Sequence, residues 1–223
     1  MIGAIAGLLR ESITTNFLYG DIVLKYRLMR NGKLPLESKE DLLFFSQVTK
    51  GDAVVMGRKT WETLPKSSRP LSKRENYILS NQPSKTFLSE DELYNPSIHH
   101  VYGLKDDKES IKSFLSKLEE KHGNVWIIGG AEIYKLFAPY VDNLIMTTNF
   151  TINIFSKEDI SENTYVDFPI ESFDEMLLMS TNKLVKLDGE IGDIGVLHFV
   201  PLRKLKENLP LIDLKSKTTL LVK

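Results

Sequence analysis

Short apolar runs rich in β-branched residues recur along this chain, with stretches of helical spacing between them. The runs are Ile2–Leu8, Ala53–Met56, Asn76–Ser80, Val125–Ile128 and Leu144–Thr148. Such runs are typical of strands that are buried on both faces of a sheet. The helical stretches are Ser38–Thr49, Lys59–Leu64, Asp106–Lys121 and Ala131–Phe137. This alternation predicts an α/β fold with a mostly parallel central sheet and helices on both of its faces.

The end of the chain carries a different pattern. Met176–Leu187 and Ile194–Leu202 are strand-like runs that flank Asp188-Gly189, a dipeptide typical of hairpin turns. They predict an antiparallel C-terminal strand pair at the edge of the sheet. A chain of 223 residues fits one domain with insertions. We expect residues 1–202 to form that domain and residues 203–223 to be a C-terminal extension, either an added tail or a partner-binding strand.

Composition excludes several classes of protein. Lys plus Arg (29) nearly balances Asp plus Glu (30), so the basic surface of a nucleic-acid binder is not expected. There is no cysteine, which fits a cytoplasmic setting, and the four histidines lack metal-ligand spacing, so we predict no metal site. The apolar N-terminal run ends at Arg10 and Glu11, too soon for a signal peptide or a membrane span.

A turn signal, a proline and a helix start stand together between Asn31 and Phe45. Asp41 and Phe45 are four residues apart and share one helix face. If that face lines a pocket, desolvation raises the pKa of Asp41, and its carboxylate can hold paired N–H donors of a heterocycle or assist protonation. Alternatively, Ser38 and Asp41 form a helix cap in which the carboxylate only accepts a backbone bond. Spacing alone leaves both interpretations open.

Two glycine turns follow predicted strands. At Gly57-Arg58-Lys59-Thr60 a glycine precedes two cations and a hydroxyl at a helix start, which is typical of a phosphate site. The alternative is a set of solvent-exposed basic residues. Gly129-Gly130 offers backbone N–H groups to a pyrophosphate, although a Gly-Gly pair is often just a tight turn and the dinucleotide fingerprint G-x-G-x-x-G is missing.

Read in order, these segments resemble the dihydrofolate reductase family over most of Met1–Pro201. The matching stretches are Ile2–Leu8, Asn31 to Pro35, Asp41 to Phe45, Val54 to Glu62, Arg69 to Leu71 with Arg74, Asn76–Ser80 and Ile127 to Tyr134. Several motifs in one order are far more specific than any single motif.

The resemblance implies hydride transfer from NADPH to C6 of 7,8-dihydrofolate, which gives tetrahydrofolate for one-carbon metabolism and thymidylate synthesis. Asp41 resembles the carboxylate that holds the pterin and supports protonation of N5, and Thr147 resembles its hydroxyl partner. Arg74 would bind the α-carboxylate of the substrate's glutamate. The implied substrate contacts are Ile5, Gly7, Leu42, Phe45, Leu64, Leu71, Arg74 and Ile128.

The family's NADPH site implies a second set of roles. Arg58 and Ser80 would meet the adenosine 2′-phosphate, and Lys59 with Thr60 the pyrophosphate. The nicotinamide end would lie against Gly129, Gly130 and Tyr134. The remaining implied cofactor contacts are Gly57, Leu79, Ala131, Glu132 and Ile133.

The chain departs from the family pattern at several places. Leu36 stands where the family usually has tryptophan, and Lys73 replaces the glycine usual before the substrate arginine. Residues 9–30 form an insert in the region of the lid that closes over nicotinamide, and this insert could be an added ordered element. The segment Asn163 to Pro169 only loosely matches the family's acidic-threonine-phenylalanine-proline turn.

Two other functions fit parts of the sequence. A pyrimidine reductase of riboflavin synthesis has a similar fold and nicotinamide site, but it leaves Asp41 and Arg74 unexplained. A nucleotide-binding or structural protein that has lost turnover would account for Leu36, the insert and the C-terminal extension. We expect a small-molecule substrate, no membrane or nucleic-acid partner, and a monomer, with a dimer mediated by the extension as the alternative.

Overall fold

The computed structural model describes residues 1–16, 21–34, 36, 38–149, 153–156, 164–173, 175–185 and 193–206. The strands are β1 (Ile2–Asn16), β2 (Asp21–Arg30), β3 (Ala53–Gly57), β4 (Glu75–Ser80), β5 (Ile98–Tyr102), β6 (Val125–Gly129), β7 (Asn143–Asn149), β8 (Asn153–Ser156), β9 (Tyr165–Asp167), β10 (Met176–Val185) and β11 (Ile194–Pro201). The helices are α1 (Lys39–Thr49), α2 (Arg58–Thr63), α3 (Glu90–Leu93), α4 (Lys108–His122), α5 (Ala131–Phe137) and α6 (Leu202–Lys206).

The main sheet runs in the order β10-β11-β7-β1-β6-β3-β4-β5. All neighbours from β7 to β5 are parallel, whereas β11 pairs antiparallel with β7 and β10 antiparallel with β11. The predicted α/β fold with a mostly parallel sheet and an antiparallel C-terminal edge is therefore confirmed. The predicted turn at Asp188-Gly189 lies outside the described residues.

Alternating strand residues pack into two cores, one on each face of the sheet. Ala4, Val55 and Ile127 face the core covered by α4 and α5, and Ile5, Val54 and Trp126 face the core covered by α1 and α2. This two-sided burial explains why the strands read as continuous apolar runs. The predicted helices on both faces are confirmed.

Helix starts are set by side-chain caps that shift the predicted bounds slightly. Asp107 accepts a hydrogen bond from the Ser110 amide, so α4 begins at Lys108 rather than at Asp106. Ser38 accepts one from the Asp41 amide, so α1 begins at Lys39. Strand β5 is absent from the sequence prediction, although Ile98 to Tyr102 is rich in β-branched and aromatic residues.

The predicted insert, residues 9–30, forms much of a second set of strands. Strand β1 continues to Asn16, and β2 pairs antiparallel with it. Strand β8 pairs parallel with the far part of β1, and β9 pairs antiparallel with β2. In the described residues of this region the structure therefore has a strand pair where the resemblance implies a lid.

Helix α6 crosses the predicted domain boundary at residue 202. The Arg203 guanidinium donates to Val141 O at 2.7 Å, and the ammonium of the buried Lys204 lies 3.4 Å from the Asp142 carboxylate. The start of the predicted C-terminal extension is thus fixed to the end of the sheet, and residues 207–223 lie outside the described part. Among the described helices, none combines the length and the apolar character needed to cross a membrane.

Candidate active site

A buried carboxylate lies where α1 meets the central strands. Gly7 of β1 is paired with Thr147 of β7, and the first turn of α1 places Asp41 beside this pair. The Thr147 hydroxyl donates a short hydrogen bond to Asp41 Oδ1 and also lies 3.4 Å from Ala6 O. Asp41 is 9% exposed and Thr147 is 1% exposed. The structure thus brings both predicted catalytic residues into direct contact.

Gly7 makes this approach of α1 possible. A Cβ atom at residue 7 would lie 2.8 Å from Asp41 Oδ2 and 3.4 Å from Oδ1. The first distance is shorter than real Cβ contacts, so any other residue at this position displaces either the carboxylate or the strand. The glycine is required by the close approach of a helix side chain to β1.

Asp41 does not cap its own helix with its carboxylate. The capping acceptor is Ser38 Oγ, which receives the Asp41 amide at 3.3 Å, and the Ser38 hydroxyl donates to Glu40 at 2.8 Å. Desolvation by burial raises the pKa of Asp41 from 3.8 to about 6, and the hydrogen bond from Thr147 opposes this rise. Of the two sequence-based interpretations, the helix cap is wrong for the carboxylate and the desolvated acid is supported.

This raised pKa predicts a pH-dependent stability. The folded protein holds the Asp41 proton more tightly than the unfolded chain does, so this contribution is fully present below the unfolded pKa of 3.8 and is lost as pH rises through about 6. Relative to Asp41→Asn, the wild type should lose up to about 3 kcal/mol of unfolding free energy between acid pH and pH 8. Urea unfolding of both proteins across this range measures the difference. A difference independent of pH would contradict the raised pKa.

The Gly129–Gly130 turn is held by a buried tyrosine. The Tyr134 hydroxyl donates to Ile5 O at 2.7 Å, and burial raises the pKa of this phenol far above its usual value. Gly129 has φ +108°, and a Cβ atom there would lie 2.8 Å from the Tyr134 ring. A positive φ and a ring at this distance together require glycine. Tyr134 thereby connects this turn to the strand that carries Gly7.

The two glycine turns lie side by side at the carboxyl ends of β3 and β6, where Met56 pairs with Gly129. Gly57 and Gly130 are the N-cap residues of α2 and α5, and as glycines they have no side chain that could cap these helices. A Cβ atom on Gly130 would lie 3.3 Å from Thr60 Oγ1. We call this edge, formed by Gly57, Thr60, Gly129 and Gly130, the glycine edge.

Other predicted cofactor contacts surround the glycine edge. Gly57 pairs with Leu79, so Arg58 and Ser80 each directly follow one member of the last pair between β3 and β4. Arg58 is engaged on its own helix, where both Glu62 carboxylate oxygens accept from its guanidinium at 2.7 Å. The Cβ position of Gly57 lies 3.0 Å from Ile133. The burial of the rest varies: Leu79 is buried, Ala131 is half-buried, and Lys59 and Glu132 are exposed.

Arg74 is buried against the C-terminal half of α1. Its guanidinium donates to Thr49 Oγ1 at 2.8 Å, to Ser72 O at 3.0 Å, and to the Ser46 carbonyl and hydroxyl at 3.0 and 2.8 Å. Burial lowers the pKa of Arg74. Asp41 and Thr49 are eight residues apart on α1, so the acid and the cation are separated by about 12 Å along the helix axis.

The predicted apolar contacts lie along the same helix and the face beneath it. Phe45 is half-buried between the two charged residues, with the Arg74 guanidinium carbon 5.6 Å from its ring centroid. Leu42, the residue after Asp41 on α1, is 56% exposed. The half-buried members of the core on this face include Leu64, Leu71 and Ile128. Ile5 is buried, and its carbonyl accepts from Tyr134.

Phe168 is a further residue of this site, and no site motif in the sequence contains it. Its ring is 2% exposed and lies 4.9 Å, centroid to centroid, from the Tyr134 ring. The only sequence signal was the loose match of residues 163–169 to a family turn. Local sequence could not show that a residue 34 positions after Tyr134 packs against it.

Comparisons with known proteins identify the family of this chain. A family model described as dihydrofolate reductase matches residues 25–165. The dihydrofolate reductase of Candida albicans is 32% identical over 163 residues, which cover 69% of this chain and 76% of the relative. The dihydrofolate reductase of Mycobacterium leprae is 35% identical over 131 residues, or 59% of this chain and 70% of the relative. From its sequence and its fold, the chain belongs to the dihydrofolate reductase family of oxidoreductases.

Proposed function

We propose that this protein reduces 7,8-dihydrofolate to tetrahydrofolate with NADPH, and that Asp41 supports the protonation of the substrate. The observation that carries the proposal is the desolvated Asp41 carboxylate, which contacts Thr147 and lies against Gly7. The chain that holds this carboxylate belongs to the dihydrofolate reductase family. A carboxylic acid with a pKa of about 6 is protonated often enough near neutral pH to serve as a proton donor. The cytoplasm is the proposed setting.

The spacing of charges along α1 suits a long substrate with an aromatic ring system at one end and a carboxylate at the other. Asp41 would hold the pterin, whose paired N–H donors match a carboxylate. Arg74 would bind the glutamate α-carboxylate, because a guanidinium has five N–H donors and four hydrogen bonds to Thr49, Ser72 and Ser46 leave one of them for a ligand. Leu42, Phe45, Leu64, Leu71 and Ile128 would pack against the rings between.

The residues present fit NADPH at the glycine edge. Gly57 and Gly130 have no side chain, so their backbone can lie close to a ligand. A Cβ atom at either position would crowd Ile133 or Thr60. Thr60 offers a hydroxyl, and Arg58 and Lys59 offer positive charge at the start of α2. When bound, NADPH would supply the hydride for C6 of the pterin. The chain's part is to align the rings, exclude water and provide the proton at Asp41.

Arg58 makes a sharp test of the cofactor assignment. We expect Arg58→Ala to weaken NADPH binding about 10- to 100-fold, since a lost charge-assisted hydrogen bond has this value. NADH binding should barely change, because NADH lacks the 2′-phosphate. Glu62→Gln is the matched control: it removes the present partner of Arg58, so NADPH affinity should stay or rise. Equal weakening of NADPH and NADH in fluorescence titrations would contradict the role.

The activity itself is tested with purified protein, NADPH and dihydrofolate, by following NADPH absorbance and identifying the product. We expect one tetrahydrofolate formed for each NADPH consumed. Tight NADPH binding without turnover would favour the binding-protein alternative. Turnover of a pyrimidine substrate but not of dihydrofolate would favour the pyrimidine reductase.

A further inference from the structure

A buried arginine joins the strand pair β1–β2 to β9. Arg27 on β2 is 5% exposed, and its Nε donates to the Glu11 carboxylate at 2.8 Å. Its Nη1 donates to Asp167 at 2.6 Å, and its guanidinium carbon lies 4.1 Å from the Tyr165 ring centroid. Burial alone would lower the pKa of Arg27, but the hydrogen bonds that its guanidinium donates to the Glu11 and Asp167 carboxylates outweigh burial and raise this pKa. The proposed chemistry uses none of these groups.

Asp167 immediately precedes the residue that packs against Tyr134. The Phe168 amide donates to Tyr26 O at 2.8 Å, so the two backbone segments that carry Asp167 and Arg27 are also hydrogen-bonded to each other. The Phe168 ring lies between the rings of Tyr134 and Phe173, at centroid distances of 4.9 and 5.2 Å. Tyr134 in turn donates to Ile5 O and lies against Gly129. A continuous set of contacts therefore runs from Arg27 to the glycine edge.

We propose that Arg27 and Asp167 are positioning residues for the cofactor site: their ion pair holds Phe168 against Tyr134 and so fixes the Gly129–Gly130 turn. Glu11 fixes the guanidinium from the β1 side, and Asp167 is the member of the pair that connects it to Phe168. The inference rests on the proposed use of NADPH at this edge.

The geometry gives the two carboxylates different roles. The Glu11 side chain is 2% exposed, so removing its partner would leave a buried charge and endanger folding. The Asp167 side chain is 39% exposed, so its replacement leaves no buried charge on this side. Arg27 would still be paired with Glu11. Asp167 can therefore be changed with little effect on stability, which makes it the better position for a test.

The test compares Asp167→Asn, Asp167→Glu and Lys25→Gln with the wild type. Lys25 is the matched control: its ammonium lies 3.3 Å from the same Asp167 carboxylate, but its side chain is 42% exposed, so this second ion pair is solvated and should hold Asp167 only weakly. The readouts are NADPH affinity by tryptophan fluorescence, hydrogen–deuterium exchange of residues 164–173 and 126–137 without cofactor, and the unfolding midpoint.

We expect Asp167→Asn to weaken NADPH about 5- to 10-fold and to speed exchange in both segments, with a small change in unfolding midpoint. Asp167→Glu should recover part of the affinity, and Lys25→Gln should behave as wild type. Wild-type affinity and exchange in a folded Asp167→Asn would overturn the inference. Failure of the wild type to use NADPH would instead overturn the proposed function, while the exchange data would still report whether Asp167 orders Tyr134.

Discussion

At pH 7, Asp41→Asn should reduce dihydrofolate at least about 100-fold more slowly than the wild type. An asparagine keeps the size of the side chain and can still contact Thr147, but it cannot release a proton. General acid catalysis typically contributes about 10²- to 10⁴-fold, so its loss is expected to be in this range. The turnover number at saturating NADPH and dihydrofolate measures the effect.

Two further readouts separate loss of the acid from loss of the fold. NADPH affinity should be unchanged in Asp41→Asn, because Asp41 lies at Gly7 and Thr147 rather than at the glycine edge. Part of the activity should return at acid pH, where more of the substrate is already protonated. Normal turnover at pH 7 would show that the buried carboxylate plays no part in the reaction.

Gly7→Ala should lower activity about 100-fold even where the protein remains folded. The added Cβ would lie 2.8 Å from Asp41 Oδ2 while Thr147 holds the other oxygen, so the carboxylate must leave its present position. A displacement of about 1 Å at a reacting group can cost this factor. Overpacking should also cost about 1–3 kcal/mol of stability. Turnover and urea unfolding measure the two effects.

Gly3→Ala is the matched control for overpacking on the same strand. A Cβ at residue 3 would lie 2.4 Å from the Trp126 ring, far from Asp41 along β1. It should destabilise the protein at least as much as Gly7→Ala, yet the folded fraction should turn over at the wild-type rate. If both variants lost activity in proportion to stability, the contact between Gly7 and Asp41 would have no special role.

The central sheet could be predicted because its strands are buried on both faces and its helices are amphipathic. The runs Ala53–Met56 and Val125–Ile128 and the helix Ala131–Phe137 were each placed within one residue of the observed bounds. Local patterns suffice where burial dictates residue type. β5 was missed because His99 and His100 interrupt its apolar character.

The strand pair formed by residues 9–16 and 21–30 could not be predicted from local pattern. Its order depends on partners distant in sequence: Arg27 is paired with Asp167, 140 positions away. The sequence left residues 9–30 as either part of a lid or an added ordered element, and the pairing of β1 with β2 and β8 supports the added element. The position of Phe168 could not be predicted for the same reason, since the residue that its ring contacts, Tyr134, lies on another element.

The site was predictable in part. Spacing alone left Asp41 balanced between a helix cap and a desolvated acid, because Ser38 satisfies the cap pattern in either case. The choice depends on what lies opposite α1, and β1 and β7 supply it through Gly7 and Thr147. For Arg58, residue type and position alone predict phosphate binding. The structure adds that the Glu62 carboxylate already accepts hydrogen bonds from the same guanidinium.

The most direct test of Asp41 as the proton source is the rate of NADPH-dependent dihydrofolate reduction by the wild type between pH 5 and pH 9. The desolvated acid predicts a rate that falls as pH rises, with its midpoint near the Asp41 pKa of about 6. Each NADPH consumed should yield one tetrahydrofolate. A rate that does not change with pH, or NADPH oxidation without tetrahydrofolate, would contradict the assignment of Asp41 as the proton-supplying group of a dihydrofolate reductase.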